Sequence, residues 1–142
     1  MDEESVIRLR NAVMRTARRL RATASQEGLT AAQSSVLATL VREGPTRAGG
    51  LAAAEAINPT MLSRILAHLE EEGLVERAPS PDDARCTLAR ATANGRRRVT
   101  RLRARRVALL QGWLDGLEPS EAAALATALP ALEALAHAGG DA

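Results

Sequence analysis

The sequence contains no phenylalanine, tyrosine or lysine, and it has one cysteine and one tryptophan. A lone Cys86 excludes an internal disulfide and a cysteine-based zinc site. With only Trp113 as an aromatic, any core must be built from Leu, Val, Ile, Ala and Met. Without lysine, all 19 basic residues are arginine. Arginine offers a planar fork to phosphate and to guanine edges, although in so alanine-rich a chain a nucleotide-composition bias explains the choice as well. There is no apolar run of about 18 residues, so neither a membrane span nor a membrane partner is expected. The opening "MDEESVIRLR" is acidic and has no apolar stretch of the secretory kind, so a cytoplasmic location is expected. His68 and His137 have no metal-ligand spacing, and both are expected at the surface. No Gly-rich phosphate loop, G-x-S-x-G, paired histidines or partnered cysteine nucleophile occurs. The expectation is therefore no enzyme, no metal and no cofactor, and the Glu70-Glu71-Glu72 run reads as a solvated helix end.

What the chain does have is arginine placed unevenly. Its 142 residues, 46% apolar and 25% charged, suit one soluble domain with a real core. The formal net charge of +2 hides nine arginines and no acidic residue between Arg85 and Arg106. Such a segment points to a polyanionic partner, or more plainly to a solvated basic face.

Helical periodicity runs from Ser5 to about Ala24 through Val6, Leu9, Val13, Ala17 and Leu20. Thr30 and Gln33 form a T-x-x-Q capping box that starts a second helix at Ala31, and Gly44-Pro45 stops it. Thr46 is a candidate cap for a short third helix, which Gly49 and Gly50 weaken by about 1 kcal/mol each. Asn58 and Pro59 open a fourth helix that ends at Gly73. "LVERA" and "RCTLARA" read as two antiparallel strands around a Pro/Asp turn. Thr92 caps a long helix from about Ala93 to Asp115, and a last helix spans about Ser120 to His137. Only the closing "AGGDA" is expected to be disordered. The expected order is α-α-α-α-β-β-α-α, mainly α with a small β-hairpin.

At 100° per residue, the fourth helix gathers Leu62, Ile65, Leu66 and Leu69 on one side. Thr60, Ser63, Arg64 and Ala67 lie opposite, with Met61 and His68 at the margins. Short polar groups and one arginine suit a DNA major groove, where small side chains allow close approach. An ordinary amphipathic surface helix fits that face almost as well.

"LTAAQSSVLATLVREGP" and "INPTMLSRILAHLEEEGLVERAPSPDDARCTLARATANGRR" together resemble the winged helix-turn-helix of the MarR family of bacterial transcription regulators, over about residues 29 to 98. The resemblance implies a homodimer that binds double-stranded DNA at a pseudo-palindromic operator and regulates transcription, more commonly as a repressor. Residues 29–92 would form the winged lobe, and 1–28 and 93–142 would supply dimerisation helices. Pro59, Thr60, Met61, Ser63, Arg64, Ala67 and His68 would lie on the recognition helix. Asp83 and Arg85 match the wing-tip pair, whose arginine enters a minor groove of enhanced negative potential. Thr46, Arg47, Arg77, Arg90 and Arg96 are candidate phosphate contacts. Two features depart from the family pattern. Ala84 stands where many relatives carry another arginine, and Gly49-Gly50 interrupts a usually polar helix.

Many relatives are released from DNA by a small phenolic or anionic effector. Here only Trp113 could stack against one. Arg106 falls within the apolar stripe of Val99, Leu102, Leu109, Leu110, Trp113 and Leu117. There it serves as a structural ion-pair partner, across the dimer if not within the chain, or as an anchor for a carboxylate ligand. Cys86 is expected to be a half-exposed strand residue, with redox control of the wing as the alternative. The competing reading of the whole is a winged-helix protein-interaction module that does not bind an operator.

Overall fold

The computed structural model describes residues 1–138. The expected terminal disorder therefore falls, apart from helical Ala138, outside the described residues. The helices are α1 (Glu3–Arg21), α2 (Thr23–Gln26), α3 (Ala31–Glu43), α4 (Ala48–Glu55), α5 (Pro59–Glu71), α6 (Ala93–Asp115) and α7 (Pro119–Ala138). Strand β1 (Thr46–Arg47) precedes α4, and β2 (Val75–Pro79) and β3 (Thr87–Ala91) lie between α5 and α6.

Local chemistry sets most of these boundaries. Asp2 Oδ1 accepts the Ser5 N–H at 2.8 Å and starts α1. Thr30 Oγ1 accepts the Gln33 N–H at 3.1 Å while Gln33 Oε1 accepts the Thr30 N–H at 2.9 Å, the reciprocal box the sequence predicts. Asn58 Oδ1 caps α5 through the Met61 N–H at 2.8 Å, with Pro59 at the first helical position. Thr92 Oγ1 accepts the Gly95 N–H at 3.1 Å at the start of α6 and donates to the Gly73 carbonyl at 2.7 Å. Gly44 and Gly73 follow α3 and α5 with φ of +79° and +69°, a region costly for residues with a Cβ.

The structure corrects several expectations. The first helix ends at Arg21 rather than near Ala24, because the chain turns there into the single turn α2. Thr46 does not cap the third helix. Its hydroxyl donates to the Gly44 carbonyl at 2.8 Å and its backbone pairs with Ala89, so Arg47 becomes the N-cap of α4 without a side-chain bond. The hairpin is accordingly one part of a three-stranded antiparallel sheet, ordered β1-β3-β2. Arg85 and Cys86 precede β3 instead of lying in it, and Leu117 lies beyond the end of α6.

The described chain falls into two compact units, 1–106 and from Val107 onward. The first holds the core, in which Leu29, Val36, Leu37, Leu40, Leu51, Leu62, Leu66, Leu69, Leu74 and Val99 are nearly fully enclosed. As expected it is built without aromatics. Methionine takes no part, since Met14 and Met61 are 56% and 44% exposed. Within this unit α6 presses on the turn after α5, where a Cβ on Gly95 would stand 2.2 Å from the Leu74 carbonyl oxygen.

Candidate nucleic-acid interface

Helix α5 divides its residues as its periodicity predicts. Leu62, Ile65, Leu66 and Leu69 are buried, and Pro59, Thr60, Met61, Ser63, Arg64 and Ala67 are exposed. His68 departs from its expected surface position. It is half-buried, and its Nε2 is enclosed without a hydrogen-bond partner. Ahead of α5 in the chain lies a clamp that the sequence does not announce. Ser35 Oγ and Thr39 Oγ1 donate to the two carboxylate oxygens of Glu55 at 2.7 and 2.5 Å, tying α4 to α3 just ahead of α5.

The wing tip is a small self-bonded loop. β2 and β3 pair from Val75↔Ala91 to Pro79↔Thr87, and the Ser80 N–H donates to the Cys86 carbonyl at 2.8 Å. Inside it, Asp83 Oδ1 accepts the Arg85 backbone N–H at 3.0 Å and the Arg85 Nε–H at 3.1 Å. Arg85 Nη2 and Cys86 Sγ reach Asp83 Oδ2 at 3.4 and 3.7 Å. The Arg85 side-chain and backbone donors hold the Asp83 carboxyl below its ordinary value of 3.8, against a small opposing effect of burial. The Arg85 side chain is nevertheless 91% exposed, so it is oriented at its base and open at its tip.

An amphipathic helix with an uncovered Thr/Ser/Arg face, preceded by a clamped short helix and followed by an arginine-tipped hairpin, is the geometry of a winged helix-turn-helix. The sequence pattern of the MarR family matches residues 29–87. A helix-turn-helix type transcriptional regulator of Mycobacterium bovis is 36% identical over 124 residues, which is 87% of each protein. The chain belongs to the MarR family. The crystal structure of RV1404 from Mycobacterium tuberculosis has the same fold, with a TM-score of 0.80 at 27% identity over 99% of this chain and 98% of that one. A mutant of MepR from S. aureus, solved bound to an oligodeoxyribonucleotide, shares the fold with a TM-score of 0.71 at 18% identity over 94% and 98% of the two chains. This MarR-family chain is thus a helix-turn-helix transcriptional regulator of the DNA-binding kind, a class that is not enzymatic. None of its described helices is long and apolar enough to cross a membrane.

The other candidate residues of this MarR-family chain are scattered rather than convergent. Arg47 is exposed at the head of α4. Arg77 is paired with Glu70, and Arg90 Nε bonds Glu76 Oε1 at 2.7 Å, so both have carboxylate partners inside the chain. Arg96 Nη1 donates to the Ala91 carbonyl at 3.2 Å. Half-buried Arg106 donates from Nε to the Thr23 hydroxyl at 3.4 Å, a neutral partner. Trp113 belongs to the second unit and is half-buried. A surface hollow of about 510 Å³ beside Ala93, Arg96, Arg97, Thr100 and Arg101 includes neither Arg106 nor Trp113 in its walls.

Proposed function

We propose that this regulator acts as a homodimeric repressor on a pseudo-palindromic double-stranded operator. The observation that carries the reading is the pairing of two open faces on one lobe. These are the exposed Thr60, Ser63, Arg64 and Ala67 of α5, and the exposed, aspartate-oriented Arg85 of the wing. The α5 face suits a major groove, with Arg64 reaching guanine or phosphate and Pro59, Met61 and His68 bordering the contact. Arg85 suits the adjoining minor groove. Thr46, Arg47, Arg77, Arg90 and Arg96 are the phosphate candidates, and Arg47 is the best placed of them because it is exposed and, among the described residues, its side chain has neither an ion pair nor a hydrogen bond, whereas Arg77 and Arg90 are paired and Arg96 bonds the Ala91 carbonyl.

Dimerisation through 1–28 and 93–142 is supported by uncovered apolar groups. Helix α1 has no buried residue along 19 positions and exposes Val6, Ile7, Val13 and Met14. Helix α7 likewise exposes Leu125, Leu129 and Leu135. Such surface is what a second copy would cover. A small aromatic or anionic effector that releases DNA, with Arg106 or Trp113 in its site, completes the reading, and the cytoplasm is its compartment.

Selection of binding sites from random duplexes, followed by footprinting, tests it. Enriched sites should carry two inverted half-sites about one helical turn apart, 10–10.5 bp centre to centre. Failure to enrich any sequence would refute operator binding.

A further inference from the structure

One face of α6 is turned inward onto the short stretch that joins α1 to α3. Glu27 lies in that stretch with its side chain only 11% exposed, and Arg105 Nε and Arg101 Nε reach its two carboxylate oxygens at 3.0 and 3.4 Å. Arg98 Nη1 donates to the Glu27 backbone carbonyl at 2.6 Å, and Arg105 Nη1 to Gln26 Oε1 at 3.3 Å. One turn further, Arg106 Nε donates to Thr23 Oγ1, which donates in turn to the Leu20 carbonyl at 2.6 Å. Positions 98, 101, 105 and 106 share a helical face, so four guanidiniums converge on one short segment. Glu27 is the only carboxylate among the described residues to pair with any of them.

The location gives the cluster its meaning. The segment is where the chain passes from α1 into the lobe, and α6 is where it passes out again. Val99 and Leu102 of α6 are buried in the lobe's core, and the arginines beside and between them grip the incoming chain. Both crossings are thereby tied together at Glu27. Without its negative charge the guanidiniums repel one another and the cross-link loosens.

We infer that Glu27 is a positioning residue for operator binding. Its carboxylate, held by Arg101 and Arg105, fixes the lobe on the stem formed by α1 and the start of α6. In the dimer it thereby sets the separation of the two recognition helices. The inference rests on the dimeric DNA-binding reading above and adds a residue that touches no DNA.

The test compares wild type and Glu27→Gln on a duplex with two half-sites, on one with a single half-site, and on a series with altered half-site spacing. Glu27→Gln should weaken two-site binding about tenfold, the scale of a lost charge-assisted hydrogen bond. It should leave single-site binding within about twofold and broaden the spacing preference. Glu27→Arg combined with Arg101→Glu and Arg105→Glu should restore both affinity and spacing. If Glu27→Gln does not fold, Arg101→Gln/Arg105→Gln carries the same test from the exposed side. Equal losses on both duplexes, or no loss on either, overturn the inference while leaving DNA binding in place. Wild type that binds neither duplex overturns the DNA-binding reading and this inference with it.

Discussion

At the scale of single residues, the wing tip makes two claims. Arg85 is the one arginine of the basic run whose guanidinium is both oriented by a carboxylate and almost wholly exposed. Removing it should cost a minor-groove contact without disturbing the core. Arg85→Ala is expected to weaken operator binding by about 1–3 kcal/mol with the dimer intact, measured by gel-shift titration beside sedimentation. Unchanged affinity would take the wing out of the mechanism. The second claim concerns pH. The folded wing lowers the Asp83 carboxyl below 3.8, so the ionised form is favoured by folding. Its contribution to wing order is therefore in place at neutral pH and is lost only as the pH falls through the lowered value. A carboxyl titration followed by NMR should show a midpoint below 3.8 in wild type and a return toward it in Arg85→Ala. A wild-type midpoint at or above 3.8 would contradict this electrostatic picture of the tip.

At the scale of elements, α6 lies tight against the turn after α5. A methyl group at Gly95 would meet the Leu74 carbonyl oxygen at 2.2 Å and Leu37 Cδ1 at 3.2 Å, so backbone would have to move. Gly95→Ala should lower stability by about 1–3 kcal/mol. Gly112→Ala in the same helix meets nothing within 4 Å, and it should be neutral or stabilising by up to about 1 kcal/mol. Thermal unfolding of the two variants checks the contrast, and equal behaviour would refute it. The sequence shows Gly95 only as part of an Asn-Gly pair near a cap. Its need for a missing side chain depends on Leu74, which packing brings against it. The same division runs through the fold. Caps such as Thr30–Gln33 and Asn58 are legible because both partners lie within three residues. The α5 faces are legible because periodicity encodes burial. Strand β1 has two residues, too few to show alternation, and exists because β3 offers it a ladder. The Ser35/Thr39–Glu55 clamp and the Arg98–Glu27 bond join residues up to 71 apart, for which a single sequence carries no signal.

At the scale of the whole molecule, structure changes what the charge distribution means. By sequence, nine arginines from Arg85 to Arg106 form one basic field. If all nine met phosphate in each protomer, a dimer would neutralise about 18 charges, and log K would fall with log salt at a slope near −16. In the fold much of that field is already spent inside the chain. Arg90 is paired with Glu76, Arg101 and Arg105 with Glu27, Arg96 and Arg97 bond neutral oxygens of Ala91 and Asn94, and Arg98 and Arg106 bond neutral oxygens of the α1–α3 joint. The arginines left open on the proposed DNA side are Arg47, Arg64 and Arg85. Three per protomer make about six phosphate or groove contacts per dimer, and a slope near −5. Fluorescence anisotropy on an operator duplex between about 50 and 200 mM salt distinguishes the cases. A slope steeper than about −10 would mean that the α6 arginines leave their internal partners for the backbone of DNA. No binding to the duplex at any salt would mean that the open faces meet a partner other than DNA. The intermediate value follows from treating Glu27, Glu76 and Asp83 as groups that decide which arginines are free to bind.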